Sequence, residues 1–361
     1  MAVIVRPEDL ATLCRAALER VGVRPDAAAS VADALVAAEC MGIPSHGMSR
    51  LPQYADQAAV GKVRGDAVPR VETPFPAVVR VDAACGFAYP AIDAGLAVAV
   101  PLAKRMGCAV MGVTDSHHCG VGGLHVERAA RQGLVALLFA NTPAAMAPWG
   151  GNRASFGTNP VAFACPPVAL PGRGEGTGAP GSSDSSDSPD GPGADGPDPL
   201  VLDLSLSTVA RGRIVDAARV GRPIPEGWAV AADGRPTTDP AVALGGMLLP
   251  FGGAKGAALA LMVELLSASL TGSNHAFEAT SFLDAEGGPP RTGQCMVLLS
   301  PHAFGADFAE RAAALLGHVL DQPGTRLPGA RRFELQRRAL REGVPVPRPL
   351  HEELLRRAGM V

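Results

Sequence analysis

The combination of residues best suited to chemistry is Ser45-His46-Gly47, with Arg50 a few positions later. Histidine donates and accepts protons near neutral pH, and a neighbouring hydroxyl can orient or relay the proton. Arg50 follows about one helical turn further on, so its guanidinium can reach the same side and bind a carboxylate through two hydrogen bonds. The alternative is that Ser45 caps the next helix and His46 is a surface residue.

A second candidate is the run Ser-His-His-Cys-Gly at 116–120, which follows an apolar stretch predicted to be a buried strand. Ligand-binding loops of α/β proteins follow such strands, and Gly120, Gly122 and Gly123 allow close approach to the backbone.

Zinc binding is the alternative role for His117, His118 and His125 together with Cys119. Adjacent side chains diverge in an extended loop, and these residues contain no pair at the i, i+4 spacing of helical zinc ligands. We therefore expect no metal.

Several polar or basic residues lie in later turns, at strand ends or at helix starts. Such positions are typical of ligand sites, although each also suits a helix cap, a plain turn or a solvated side chain. They are Thr158, Asn159, Asp203, Lys255, Arg331 and Arg332.

The pattern Gly-x-Gly-x-x-Gly of dinucleotide loops occurs at 176–181. That motif requires a preceding strand and a following helix whose amides face the pyrophosphate. Here no strand precedes it and Ser- and Asp-rich chain follows it, so we expect any dinucleotide to be held in another way.

The elements that must position these residues follow from hydrophobic periodicity and from Pro and Gly punctuation. The first forty residues are predicted to be helical, and strands alternate with helices from about residue 76, which predicts an α/β fold. Later helices are expected at 91–106, 126–131, 207–219, 257–270, 306–321, 332–343 and 348–358. Strands are expected at 77–81, 108–113, 134–140, 200–205 and 294–299.

Composition excludes several classes of protein. The chain has 361 residues, of which 47% are hydrophobic and 19% are charged, as in globular proteins. A net charge of −3 provides no basic field for nucleic acid or anionic membranes, and no apolar run is long enough to span a bilayer. Seven widely spaced cysteines without a Cys-x-x-Cys pair indicate reduced thiols in a cytoplasmic protein.

Residues 171–199 differ from the rest of the chain, because 24 of the 29 residues are Gly, Pro, Ser or Asp. Such a segment buries too little apolar surface to offset its ordering entropy. We predict a disordered insertion.

In chain order, the motifs resemble those of the malate/L-lactate dehydrogenase family, whose members lack a Rossmann fold. The resemblance extends over nearly the whole chain apart from 171–199. It is carried by Ser45-His46-Gly47 with Arg50, Ser116-x-His118-x-Gly120, Gly157-Thr158-Asn159-Pro160, Asp203 with Ser207, Pro-Thr-Thr-Asp-Pro at 236–240, Lys255-Gly256 and Pro328-Gly329.

This resemblance implies a homodimeric oxidoreductase that uses NADPH or NADH and acts on a small molecule. It implies an α/β fold in which residues 76–299 form a non-Rossmann NAD(P)-binding domain of layered sheet and helices. The N- and C-terminal helical segments, 1–75 and 300–361, would form a second domain for substrate binding and dimerisation.

The resemblance also implies roles for individual residues. His46 would be the proton donor or acceptor, Ser45 its hydroxyl partner, and Arg50 the ligand of the substrate carboxylate. The other substrate-binding residues would be His118, Thr158, Arg211 and Gly212. The cofactor-binding residues would be Cys119, Gly120, Val121, Gly122, Gly123, Asp203, Leu204, Ser205, Gly253, Ala254, Lys255, Gly329, Arg331 and Arg332.

A narrower similarity lies in Leu-Pro-Phe-Gly-Gly-Ala-Lys-Gly at 249–256 and the residues that follow, up to 272. These look like the Δ1-piperideine-2-carboxylate/Δ1-pyrroline-2-carboxylate reductases, which reduce a cyclic imine to L-pipecolate or L-proline. The predicted reaction is therefore hydride transfer to C2 of a cyclic 2-imino acid, with His46 as proton donor. This chain has Arg213 where that branch has an acidic relay residue.

Three alternatives remain open at this stage. The chain is a dehydrogenase of an open-chain 2-hydroxy acid such as malate, lactate or ureidoglycolate. It is a metal-dependent hydrolase that uses His117, His118 and His125. Or it is a scaffolding protein whose acidic segment 171–199 binds a partner.

Overall fold

A computed structural model describes residues 2–170, 196–305 and 307–360. The helices are α1 (Pro7–Glu19), α2 (Pro25–Cys40), α3 (Leu51–Ala59), α4 (Ala88–Met106), α5 (Gly122–Arg131), α6 (Arg211–Arg219), α7 (Pro240–Leu244), α8 (Ala254–Glu264), α9 (Phe308–Leu320), α10 (Ala330–Glu342) and α11 (Arg348–Ala358). The strands are β1 (Ala2–Val5), β2 (Arg70–Phe75), β3 (Val78–Asp82), β4 (Cys108–Ser116), β5 (Val135–Ala140), β6 (Val161–Cys165), β7 (Leu200–Leu204), β8 (Ala229–Val230), β9 (Met247–Leu248), β10 (Thr292–Leu299) and β11 (Val344–Pro347).

Seven strands form a central sheet in the order β2-β3-β4-β10-β5-β6-β7. Neighbouring strands are antiparallel except β3 and β4, which are parallel. The predicted α/β class is confirmed, and the sheet is mixed, unlike the mostly parallel sheet of a Rossmann fold.

Both faces of the sheet are covered. Successive side chains of a strand point to opposite faces. Met296 and Leu298 of β10 therefore pack in the cluster that includes α4 and α5, whereas Cys295 packs on the other face with α6 and α8. The sheet is thus the middle of three layers, and loops at its edges are held from both sides.

A third buried cluster joins the two ends of the chain. Strand β1 pairs with β11 in antiparallel register, and α1 packs on α2 and α11. Tyr54 of α3 lies in this cluster beside Phe87 and Tyr89 at the start of α4. The N-terminal helices are therefore anchored next to the sheet.

Most predicted elements are confirmed within a few residues, including the helix at 348–358. Four predictions are wrong. Residues 2–5 are a strand rather than part of a helix, and β2, β6 and β11 form where no strand was expected. The helix expected from residue 207 begins at Arg211, because the Ser207 hydroxyl donates to the Val209 carbonyl instead. The helix expected at 257–270 begins at Ala254 and changes at Leu265 into a π-helical turn.

The Gly-x-Gly-x-x-Gly match and residues 171–195 of the predicted insertion lie outside the described residues. Residues 196–199 are described and lead into β7. Pro199 is buried, and the Asp198 carboxylate binds Arg337 at 2.8 Å. None of the described helices is long and apolar enough to cross a membrane.

Candidate active site

Two 3₁₀ turns between α2 and α3, Pro44–His46 and Met48–Arg50, carry the first predicted group. The Ser45 hydroxyl oxygen lies 3.0 Å from Nδ1 of His46. The Arg50 Nε–H donates to the Ser45 carbonyl at 2.8 Å, which folds the guanidinium back over the turn. The structure therefore brings Ser45, His46 and Arg50 into one cluster.

Glu39, which was not among the predicted site residues, holds this turn through a backbone hydrogen bond. Its buried carboxylate accepts the N–H of Met48 at 2.7 Å. A Cβ at Gly47 would lie 2.2 Å from Glu39 Oε2, so only glycine leaves room for the carboxylate. Burial raises the pKa of Glu39. The signal in the sequence is a single acid near the end of an Ala-rich apolar helix.

His118 lies beside His46, with 5.3 Å between the ring centroids. Its Nδ1 is 2.6 Å from the Tyr54 hydroxyl. Phe282 packs 5.1 Å from the His118 ring, measured between centroids. Tyr54 and Phe282 were not predicted; Tyr54 lies one turn after Arg50, whereas Phe282 reaches the site from a loop that only the fold brings close.

The electrostatics of the site keep the histidines neutral. Burial, together with the positive charges of Arg50 and Arg332, lowers the pKa of His46 to about 4. Burial, Arg50 and the neighbouring histidines lower the pKa of His118. A group that carries negative charge is therefore favoured next to His46.

The Thr158 turn is braced by a buried network that the sequence did not reveal. Asn159 has a left-handed backbone (φ 38°), and its side-chain NH₂ donates to Glu264 at 2.8 Å. Glu264 also accepts from the side chain of Asn141 and from the Ala276 N–H. Because Glu264 ends α8, this network ties the Thr158 turn to the helix that begins at Ala254, directly after Gly253.

The predicted cofactor segments meet at the start of α5. The Asp203 carboxylate accepts the Gly123 N–H at 3.0 Å and lies 3.6 Å from the Arg332 guanidinium. Burial raises the pKa of Asp203, and the Gly123 N–H and Arg332 oppose that shift.

A backbone link joins Thr158 to the segments that precede α8. Leu206 N–H donates to the Thr158 carbonyl at 2.8 Å, and Phe251 N–H donates to the Leu206 carbonyl at 3.0 Å. Segments 203–205 and 253–255 are thus neighbours.

The remaining predicted residues differ in how close they lie to the Ser45 cluster. Gly212 lies against Ser45, since a Cβ at Gly212 would be 3.4 Å from the Ser45 Cβ. Arg211 instead donates to the Leu244 carbonyl, and Lys255 and Arg331 are exposed. Residues that form the loops and helix starts around Asp203 and Gly253 are Cys119, Gly120, Val121, Gly122, Leu204, Ser205, Ala254 and Gly329.

The three histidines of the zinc alternative have different surroundings. His117 is buried among the rings of Tyr54, Phe87 and Phe282, and neither of its nitrogens has a hydrogen-bond partner. His125 Nε2 donates to the Cys119 carbonyl. Within the described ranges, no three His, Cys, Asp or Glu residues are placed to hold a metal ion.

The fold and site belong to a known class. Residues 5–171 and 191–355 match the family model of malate/L-lactate dehydrogenase, so the chain belongs to that family and is an oxidoreductase. The resemblance predicted from the motifs is confirmed.

The relatives include two kinds of enzyme. The chain is 47% identical over 354 residues, 98% of each protein, to (2R)-3-sulfolactate dehydrogenase (NADP(+)) of Chromohalobacter salexigens. It is 39% identical to the Δ1-pyrroline-2-carboxylate/Δ1-piperideine-2-carboxylate reductase of Pseudomonas putida, over 94% of this chain and 92% of that protein. The crystal structure of Δ1-piperideine-2-carboxylate reductase from Pseudomonas syringae matches with a TM-score of 0.86 at 36% identity, covering 98% of this chain and 99% of the other.

Proposed function

We propose that this protein transfers a hydride between a nicotinamide cofactor, NADPH or NADH, and C2 of a small 2-oxo or 2-imino carboxylate. The observation that carries the proposal is the single cluster of Ser45, His46 and Arg50 beside His118. Arg50 binds the substrate carboxylate and holds C2 in place. The negative charge of the bound carboxylate offsets the charge of Arg50 and favours protonation of His46. His46 then supplies the proton to the C2 oxygen or nitrogen as the hydride arrives, and takes it back in the oxidative direction. Such proton transfer contributes roughly 10²–10⁴-fold to rate.

The nicotinamide supplies the hydride when it is bound, and the residues present fit a dinucleotide. The Gly123 amide at the start of α5 is already bonded to the Asp203 carboxylate, so this amide is not offered to a phosphate. Helix α8 begins at Ala254 without a side-chain cap and carries Lys255 in its first turn, which suits an anion. The phosphates would therefore lie near Lys255 and Arg331, with Asp203 and the 119–123 loop holding the remainder.

The charge of the site supports a substrate with a second anionic group. Arg50 and Arg332 both act on His46, and α6, whose Gly212 touches Ser45, carries the exposed Arg213. These cations stabilise a bound dianionic 2-oxo acid more than a bound cyclic imino acid. The reason is that the positive charge of the protonated imine cancels the negative charge of that substrate's carboxylate. Together with the 47% identical sulfolactate dehydrogenase, this favours an open-chain 2-hydroxy acid of the 3-sulfolactate class.

The cyclic 2-imino acid predicted from the 249–272 motifs is the second candidate. The observation that favours it is the similarity to Δ1-pyrroline-2-carboxylate and Δ1-piperideine-2-carboxylate reductases over nearly the whole chain. In that case the product is the L-amino acid.

A substrate panel separates the two candidates. We would measure kcat/KM for 3-sulfopyruvate, oxaloacetate, pyruvate and both cyclic imines, each with NADPH and with NADH. The proposal expects 3-sulfopyruvate to exceed the imines at least tenfold. Arg213→Asp should lower that ratio, whereas Arg219→Asp, an exposed change at the far end of α6, should not. Higher kcat/KM for the imines would assign the second function, and no turnover of any 2-oxo or 2-imino acid would refute both.

We also propose that the protein is a cytoplasmic homodimer with the two domains predicted above. Free cysteines at all seven positions support the compartment. Helix α8 is largely apolar. Leu261 in α8 and Leu265 in the π-helical turn that follows are nevertheless 48% and 54% exposed in the single chain, which suits burial by a second copy.

Light scattering tests the dimer. Leu261→Asp should shift the mass towards the monomer, whereas Leu315→Asp, on an exposed position of α9, should leave the dimer intact. A wild-type protein that is monomeric would contradict the proposal.

A further inference from the structure

Three buried side chains form a hydrogen-bonded row behind the site. The Tyr54 hydroxyl lies 2.6 Å from His118 Nδ1 and 3.2 Å from the Tyr89 hydroxyl. Tyr54 and Tyr89 are fully or almost fully buried, at 0% and 2% exposure. Gly120 leaves space for this row, since a Cβ there would lie 2.3 Å from the Tyr89 oxygen. The row is therefore enclosed by protein on the side away from His46.

Each member of the row has a definite number of protons. Burial raises the pKa of Tyr54 to about 12 and raises that of Tyr89, so both hydroxyls are protonated at neutral pH. Burial lowers the pKa of His118, so the ring is neutral and carries one N–H. Three patterns of donation are then compatible with the distances, because Tyr54 has one proton to donate and can accept from either neighbour.

The three patterns differ in what they leave unpaired. If His118 Nδ1–H and Tyr89 both donated to Tyr54, the Tyr54 O–H would need another acceptor. If His118 Nδ1–H donated to Tyr54 and Tyr54 to Tyr89, the Tyr89 O–H would need another acceptor. In the part of the chain that the structure describes, Tyr89 has no hydrogen-bond partner other than Tyr54. A buried O–H without an acceptor costs about 1–3 kcal/mol. In the remaining pattern, Tyr89 donates to Tyr54 and Tyr54 to His118, and both hydroxyl protons are used.

We infer that Tyr54 is a positioning residue that fixes His118 in the tautomer protonated on Nε2. His118 then presents an N–H donor next to His46 rather than a second base. The two histidines then have different roles. His46 exchanges the proton, and His118 donates a hydrogen bond to the C2 oxygen or nitrogen of the substrate. The last step rests on the proposed function, whereas the tautomer does not.

The tautomer is directly measurable. Long-range ¹H–¹⁵N spectra of the full-length protein, labelled with ¹⁵N-histidine, distinguish protonated from unprotonated ring nitrogens, and His118→Asn identifies the signals. We expect wild-type His118 to be protonated on Nε2, with Nδ1 unprotonated. Protonation on Nδ1 would overturn the inference, whatever the activity.

Two matched variants complete the test. Tyr54→Phe removes the donor, so we expect a change in the Nδ1 signal and a kcat reduced about 10- to 100-fold, with the NADPH dissociation constant unchanged. Tyr89→Phe leaves the Tyr54-to-His118 bond in place and should keep the wild-type tautomer. An unchanged tautomer and kcat in Tyr54→Phe would refute the positioning role. Failure of the proposed function is distinguishable from failure of this inference. In the first case the enzyme shows no turnover although His118 has the expected tautomer.

Discussion

Replacing Gly47 by alanine tests whether Glu39 holds the His46 turn in position. Gly47 has a negative φ (−99°), so the position does not need glycine for a left-handed backbone. The added Cβ would lie 2.2 Å from Glu39 Oε2 and 3.1 Å from the Glu39 Cα. Because Glu39 belongs to α2, its backbone is held, and the carboxylate must move away from the Met48 N–H.

The magnitude follows from the contact that is lost. A hydrogen bond to a charged acceptor contributes about 1.5–3 kcal/mol, so we expect a loss of about 2 kcal/mol in the free energy of unfolding. A displacement of His46 and Arg50 by about 1 Å would lower kcat/KM by roughly 10²-fold. The variant should therefore remain folded while its kcat/KM falls roughly 10²-fold.

The assay compares thermal unfolding and steady-state kinetics of Gly47→Ala with two controls. Gly288→Ala places a Cβ in open space and should change stability by less than about 0.5 kcal/mol. In a Glu39→Ala background, Gly47→Ala should cost less than in the wild type, because the obstructing carboxylate is gone. Equal costs in both backgrounds, or wild-type kinetics in Gly47→Ala, would refute this account of the turn.

Three further predictions concern the histidines and the cofactor segments. His46→Ala should lower kcat at least 10²-fold while the NADPH dissociation constant, measured by fluorescence, changes less than about threefold; wild-type kcat would remove His46 from the reaction. His46 and His117, whose pKa values are lowered to about 4 and about 3, stay neutral in the folded protein, whereas the unfolded chain protonates them below about pH 6.5. The unfolded state then binds more protons, so the free energy of unfolding should fall as pH drops from about 6.5 towards 4, by up to about 1.4 kcal/mol per pH unit for each histidine. His117→Phe should make this slope shallower in pH-dependent denaturant titrations, and an unchanged slope would contradict the burial argument. Asp203→Asn should weaken NADPH binding about tenfold, because Arg332 loses its partner, whereas the exposed change Asp216→Asn on α6 should leave it unchanged; equal affinities would separate Asp203 from the cofactor.

The fold was predictable where local pattern decides it. Helix α11 begins with Arg348-Pro349 and shows helical periodicity, so its bounds were correct. Strands β1 and β11 were missed because each has only four residues and gains stability only from the other, far away in the chain. In β11 Val344 and Val346 are buried while Pro345 and Pro347 are exposed, which a Pro-rich segment does not reveal until its partner is known.

The candidate site divides in the same way. Ser45, His46 and Arg50 lie within six residues, and their spacing was enough to group them. Glu39 and Tyr54 contribute through contacts set by the packing of α2 and α3, and Glu264 contributes through a loop more than 100 residues away. Such residues carry no spacing signal, so sequence patterns found the proposed reacting groups and missed the residues that hold them.

The most direct test of the proposed reaction follows the hydride itself. NADPH deuterated at C4 of the nicotinamide would be incubated with the enzyme and the best substrate of the panel, and the product analysed by mass spectrometry and NMR. The account predicts deuterium at C2 of the product, and none in the His46→Ala reaction over the same time. Product formation without deuterium at C2, or full transfer in His46→Ala, would contradict it.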